Sequence, residues 1–327
     1  MTAEANGARG ATAGGPVRVA VLGCGAIGSL YAAHLARVDG VEVWAVDPWA
    51  EHVAAIAEHG LRVTGLADFT APVHALVDAA ELPPCDFGVV ATKALHTSAA
   101  VTAARAALAD AAVVSVQNGL GNEEVVAEIV PHVIRGSIIT AGAVPEPGVV
   151  RYDAPGDSWF GPFEPSPAGS DAISTLARLL TEGGLVTHAL ADARGPQWTK
   201  VVFNAATSPL AALTGLTVGQ VCVDPGLRAQ VQHLIDEALA VCAAEGVELT
   251  RDPAASVQEA IDEAFWHKPS MLQDVLARRR TEIDVLNGGI AAVGARVGVP
   301  TPLHDAMAAL VRGLESSWDA AASPVAH

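Results

Sequence analysis

Short β-branched runs alternate with helix-like stretches through the first half of the chain, and helical periodicity alone fills the second. Val17-Arg-Val-Ala-Val-Leu22 is apolar at nearly every position and ends in glycines, the pattern of a strand buried on both faces. A helix over Ser29–Val38 and a strand over Val41–Val46 follow, so the three elements fit within about 30 residues. Further strands are expected at Phe87–Thr92, Ala112–Val116 and Ile134–Ala141, separated by helices or loops. This is the α/β pattern of a doubly wound parallel sheet. Pro145-Glu-Pro-Gly148 marks a turn into Val149–Tyr152, expected to form an edge hairpin with Ser158–Phe160.

Asp192-Ala-Arg-Gly-Pro196 reads as a punctuated linker, and the texture changes after it. Helices are expected over Trp198–Leu213, Pro225–Glu245, Val257–Glu263, Met271–Val297 and Thr301–Ser317. The expected organisation is a tail at 1–15, an α/β domain at 16–191, an all-helical domain at 192–320 and a tail at 321–327. A ligand would then be expected in the cleft between the two domains.

Composition narrows the function. Of 327 residues, 51% are hydrophobic and 17% charged, which suits an α/β protein with large buried faces. No apolar run reaches the roughly 20 residues of a membrane helix. The most apolar early stretch, Val17–Leu30, is broken by Arg18 and three glycines and lacks a basic leader and a cleavage site. A cytoplasmic enzyme with no membrane partner is the expectation. The net charge of −17, from 36 acidic and 19 basic residues, repels phosphate backbones and argues against nucleic acid as a partner. Any anionic ligand must therefore be met by a few placed lysines and by backbone N–H groups. Cys24, Cys85, Cys222 and Cys242 are far apart, without CxxC or zinc spacing, so buried free thiols and no metal site are expected.

The turn Gly23-Cys24-Gly25-Ala26-Ile27-Gly28 follows the first strand and opens the first helix inside a βαβ unit. That context makes it a Rossmann dinucleotide-binding turn. Gly23 permits the tight turn, Gly25 lets the backbone approach a pyrophosphate, and Gly28 lets helix and strand pack closely. The helix N-terminus adds N–H donors and partial positive charge. Asp47 ends the second strand, 19 residues after Gly28, where an acid accepts the adenosine ribose hydroxyls and repels a 2′-phosphate. No Arg or Lys lies between Asp47 and Gly60. NAD(H) is expected over NADP(H), with a turn cap before Pro48 as the other reading of Asp47.

Lys200 and Asn204, in Trp198-Thr-Lys-Val-Val-Phe-Asn204, are four apart and project from one helix face amid apolar neighbours. A desolvated lysine has a lowered pKa and can protonate a carbonyl oxygen that is receiving a hydride. Taken alone, the pair also reads as a snorkelling lysine beside a polar neighbour. Lys93, and Asn118 within Gln117-Asn-Gly-Leu-Gly121, follow two of the expected strands, at the end where such sheets bind ligands. Ser270 and Glu282 sit on what reads as core-like helix, as an N-cap and as a surface or first-turn acid.

These motifs in this order resemble the ketopantoate reductase family from about Val17 to Glu315. They are GCGAIG at 23–28, Thr92-Lys93, QNGLG at 117–121, Lys200 with Asn204, Glu237, SMLQD at 270–274, TEID at 281–284 and Asn287-Gly288. The resemblance implies Lys200 as the general acid on the C2 oxygen and Glu282 as the carboxylate that binds the substrate hydroxyl. It implies Asn204, Ser208, Ser270 and Asn118 as substrate-binding, Lys93 and Asn118 as cofactor contacts, and Glu237 as a supporting acid. The family commonly has a basic residue at Asp47 for the NADP phosphate, a second Asn at Ser208, and an Asn at His267. The first departure again points to NADH, and the other two to a wider, differently polar pocket. His267 also reads as a satisfied surface histidine.

The expected activity is NAD(H)-dependent reduction of a 2-keto acid to the 2-hydroxy acid, first of all 2-dehydropantoate to pantoate in pantothenate synthesis. A D-2-hydroxy-acid dehydrogenase of the same family, acting on branched or aromatic acids, is the alternative. A non-catalytic NAD(H) sensor is the further one. The partner is a small-molecule 2-keto or 2-hydroxy acid, with a homodimer as the candidate assembly.

Overall fold

The computed structural model describes residues 15–320, so the tails expected at 1–15 and 321–327 lie outside the described residues apart from Gly15. The chain divides into two units, one of residues up to 117 with 122–193, the other of 118–121 with 194 onward.

The first unit begins with β1 (Val17–Leu22), α1 (Ala26–Leu35), β2 (Val41–Val46) and α2 (Ala50–His59). Three short strands follow, β3 (Leu61–Gly65), β4 (Phe69–Ala71) and β5 (His74–Leu76), then β6 (Phe87–Val90), α3 (Thr97–Ala103) and β7 (Ala112–Ser115). It continues through α4 (Asn122–Ala127), β8 (Val133–Ile138), β9 (Ala141–Glu146), β10 (Val149–Ala154) and β11 (Ser158–Pro162), and closes with α5 (Ser170–Gly183) and β12 (Thr187–Ala189). The main sheet runs β12-β11-β8-β7-β6-β1-β2-β5. Its strands from β8 to β5 are parallel, and β11 joins β8 antiparallel. The apolar runs have both faces covered, as a parallel sheet demands. Val19 and Val21 pack with Tyr31 and Leu180 on one face, and Ala20 and Leu22 with Val101 and Val126 on the other.

The hairpin expected between Val149–Tyr152 and Ser158–Phe160 is corrected. β10 pairs with β9 and β3 in a second sheet ordered β4-β3-β10-β9, while β11 enters the main sheet. Burial decides it: Phe160 is inaccessible, and the Ser158 hydroxyl bonds the buried Tyr31 phenol at 2.6 Å. The run expected as one strand over Ile134–Ala141 divides between β8 and β9. The helix expected from Ser29 begins at Ala26, directly after the glycine turn.

The second unit is helical: α6 (Arg194–Thr214), α7 (Val218–Val223), α8 (Pro225–Glu245), α9 (Pro253–Asp262), α10 (Ser270–Leu276), α11 (Asn287–Val297) and α12 (Pro302–Ala320). α6 starts inside the stretch that reads as a linker. α8 follows its punctuation closely, with the Asp224 side chain accepting Leu227 N–H, Pro225 in the first turn and left-handed Gly246 after the end. The single helix expected over Met271–Val297 is broken. Arg278 adopts φ +49°, which ends a right-handed helix, and 277–286 is an irregular loop. Ile283 and Leu286 in that loop are buried, which is why its apolar spacing imitates a helix.

Pro209 lies inside α6 and has no N–H for the Ala205 carbonyl one turn back. The Asn287 amide donates to that carbonyl at 2.9 Å and also to His304 Nδ1 at 3.0 Å, while His304 Nε2 donates to Leu234 O. Burial lowers the His304 pKa, consistent with this neutral tautomer. Glu237 accepts the N–H groups of Leu303 and His304 and so caps α12. Among the described residues no helix is long and apolar enough to cross a membrane.

Asn287→Ala leaves two buried acceptors without donors. It is expected to cost about 2–4 kcal/mol, read as a lower urea midpoint for loss of helical ellipticity. An unchanged midpoint would show that Pro209 needs no such compensation.

Candidate functional site

In the first unit the glycine turn has the shape of a phosphate cradle. Gly23 has φ +92°, and a Cβ there would meet the Thr92 backbone at 2.8 Å. A Cβ on Gly28 would lie 1.8 Å from Gly23 O, whereas one on Gly25 would meet nothing within 4 Å. Two glycines are thus needed for the turn and the packing, and the third opens onto space that an incoming pyrophosphate can use. Ala26 and Ile27 form the first turn of α1 and stay half-buried. The Cys24 thiol is buried and its pKa is pushed up, so it packs rather than reacts.

Asp47 is fixed by two backbone donors: Cys24 N–H to Oδ2 at 2.7 Å and Trp49 N–H to Oδ1 at 2.9 Å. Both readings of Asp47 therefore meet in one geometry. It caps its turn, and it ties the carboxylate to the glycine turn. Each oxygen retains acceptor capacity for a ribose hydroxyl. These residues fit the adenosine and pyrophosphate portion of a nicotinamide dinucleotide. Lys93 is half-buried just beyond β6, where Gln117 holds the loop by donating to Thr92 O and Thr97 Oγ1 at 2.8 Å each.

In the second unit Lys200, Asn118 and Glu282 form one chain. Lys200 Nζ donates to Asn118 Oδ1 at 2.8 Å, and Asn118 Nδ2 donates to Glu282 Oε2 at 3.0 Å. The amide has one satisfying orientation, with its oxygen on the ammonium and its nitrogen on the carboxylate. Burial lowers the Lys200 pKa from 10.5 to about 8, and the Glu282 charge opposes that fall. The sequence holds only three lysines, Lys93, Lys200 and Lys268, so two of three fall at proposed site positions.

Backbone geometry places the chain's middle member. Gly119 has φ +90°, and a Cβ there would lie 2.4 Å from Val285 O. Leu120 N–H donates to the same Val285 carbonyl at 2.8 Å. The turn following Asn118 is therefore laid directly against the loop that carries Glu282. α12 grips that loop on both sides, with Glu315 accepting from Thr281 N and Oγ1, and Arg312 pairing with Asp284. Periodicity gave no sign of Glu315 or Arg312, which lie about 30 residues downstream.

The other expected site residues are dispersed in character. Asn204 shares α6 with Lys200 and is half-buried. Ser208 is buried within α6, directly before Pro209. Ser270 opens α10 but is exposed and does not cap it; Pro269 takes the capping position without a side-chain bond. Glu282 lies buried on a loop, neither in a helix nor on the surface. His267 is exposed, with its carbonyl accepting Val218 N–H.

Comparison with known proteins gives a uniform picture. The family model described as ketopantoate reductase PanE/ApbA matches residues 19–165, and its C-terminal counterpart matches 192–315. The 2-dehydropantoate 2-reductase of Pyrococcus abyssi is 30% identical, covering 92% of this chain and 98% of its own. The enzyme of the same name from Archaeoglobus fulgidus is 32% identical over 91% and 98%. Among solved structures, a PanE/ApbA family ketopantoate reductase from Ralstonia eutropha superposes with a TM-score of 0.82 at 31% identity, covering 92% of this chain and 99% of that one. A D-mandelate dehydrogenase with NADH and anilino(oxo)acetate gives 0.84 at 27% identity, covering 93% and 100%.

Because Glu282 holds the Lys200 pKa up, Glu282→Gln is expected to move it below 8. With only three lysines, ¹³C-methylated lysine NMR resolves the titration directly. An unchanged or higher value would disconnect the two groups.

Proposed function

Because the chain belongs to the ketopantoate reductase family, we propose that it reduces a 2-keto acid to the 2-hydroxy acid with NADH, 2-dehydropantoate being the first-choice substrate. The family already makes it an oxidoreductase acting on CH–OH. The observation that carries the reading is the Lys200–Asn118–Glu282 chain, with an ammonium whose pKa is about 8. When bound, the reduced nicotinamide supplies the hydride to C2. Lys200 delivers the proton to the C2 oxygen, so the carbonyl gains two electrons and two hydrogens and becomes the hydroxyl. At neutral pH such a lysine is mostly protonated, yet it releases its proton more readily than an ordinary one. Glu282 accepts the substrate hydroxyl, and Asn118 holds acid and carboxylate at fixed separation. Asn204, Ser208 and Ser270 are assigned to the substrate, Lys93 to the cofactor with the glycine turn.

Asp47 supports NADH, since a carboxylate at the ribose disfavours a 2′-phosphate. An NAD-dependent D-2-hydroxy-acid dehydrogenase acting on branched or aromatic acids is the second reading. It is favoured by Ser208, which is smaller than an amide, and by the likeness to a D-mandelate dehydrogenase structure that holds NADH. A pure NAD(H) sensor has no use for a buried proton donor linked through an amide to a carboxylate.

Steady-state rates with 2-dehydropantoate, phenylglyoxylate and branched 2-keto acids separate the two substrate readings. The first requires the highest kcat/KM with 2-dehydropantoate, and much faster turnover of phenylglyoxylate would replace it with the second. Lys200→Ala is expected to lower kcat about 10²–10⁴-fold while NADH still binds. Unchanged turnover would remove Lys200 from the chemistry.

A further inference from the structure

The residues just beyond Asp47 carry a second acid that the glycine-turn motif does not include. Trp49, whose N–H donates to Asp47 Oδ1, directs its indole Nε1–H to Glu51 Oε2 at 2.7 Å. The indole is itself anchored, stacked on His52 with ring centroids 5.1 Å apart and planes 11° from parallel. His52 is fully buried and accepts the Gly148 N–H on Nδ1 at 3.0 Å. Thus Trp49 bonds the ribose-end carboxylate through its backbone and a second carboxylate through its ring. A buried histidine fixes the ring's plane. Glu51 is exposed, so its charge faces solvent rather than a cation, and no ion pair to it is recorded among the described residues.

We propose that Glu51, tethered by Trp49, is a second determinant of cofactor choice, repelling a 2′-phosphate independently of Asp47. This rests on the reading of Asp47 as an NAD(H) determinant. A 2′-phosphate brings nearly two negative charges to the adenosine end. One solvent-exposed carboxylate there destabilises it by a modest factor, and the factor shrinks as salt rises. Replacing Asp47 alone therefore leaves that part of the discrimination in place.

The test uses the full chain and calorimetric binding of ADP and 2′,5′-ADP, which report the adenosine end without turnover. Glu51→Gln is expected to raise the ratio of 2′,5′-ADP to ADP affinity about fivefold at low salt, and less at high salt. Trp49→Phe, which keeps an aromatic ring and removes the N–H tether, is expected to raise the ratio by less. Glu58→Gln, an equal charge change at the far end of the same helix, serves as the control. An unchanged ratio in Glu51→Gln, or an equal rise in Glu58→Gln, overturns the assignment of Glu51. Wild-type protein that binds 2′,5′-ADP at least as tightly as ADP would instead sink the NAD(H) reading of Asp47 itself.

Discussion

One side-chain amide organises the chemistry of the second unit. Asn118 accepts from Lys200 and donates to Glu282, which keeps an ammonium and a carboxylate apart while coupling them. A direct ion pair would hold the lysine strongly protonated. Full separation would leave a desolvated ammonium without support. The amide gives the intermediate case, a lysine near pKa 8. Much of the surrounding structure serves that placement. Gly119 permits close approach to the 277–286 loop, Glu315 and Arg312 grip the loop from α12, and Glu237 caps α12 in turn. Such groups cost stability when buried, and strain of this kind collects where function needs it.

In the reading proposed above, the first unit faces a different problem, a dianionic pyrophosphate to be held by a chain of net charge −17. What it offers is backbone geometry more than cations. The glycine turn, the start of α1 and the Cys24 N–H bonded to Asp47 form one connected piece. The same Asp47 that orders the turn also biases the choice of dinucleotide in the reading proposed above.

Most of the α/β architecture was legible because a parallel sheet writes itself as short apolar runs. β1, β2 and α8 were read with their observed limits. The small second sheet was not, because β3 and β4 are only five and three residues long, too short for a periodic pattern to stand out. Ser158–Phe160 was given the wrong partner, since strand pairing depends on contacts such as Tyr31 with Ser158 that lie far apart in sequence. The identities of Lys200, Asn118 and Glu282 were visible as motif residues. Their connection through the Asn118 amide was not, because the three are separated by 82 and 164 residues. Buried Ile283 and Leu286 gave the Glu282 loop a helix-like apolar spacing, which hid the break at Arg278.

Lys200 as the proton donor imposes a pH dependence on the reduction. A general acid works only when protonated, so reduction should be supported below its pKa and lost as pH rises through it. Measured as kcat/KM for NADH-dependent reduction of the best 2-keto acid, the profile should be level near neutrality. It should fall tenfold per pH unit above about 8, the value at which burial holds Lys200. A rate that stays level to pH 10 would contradict the account.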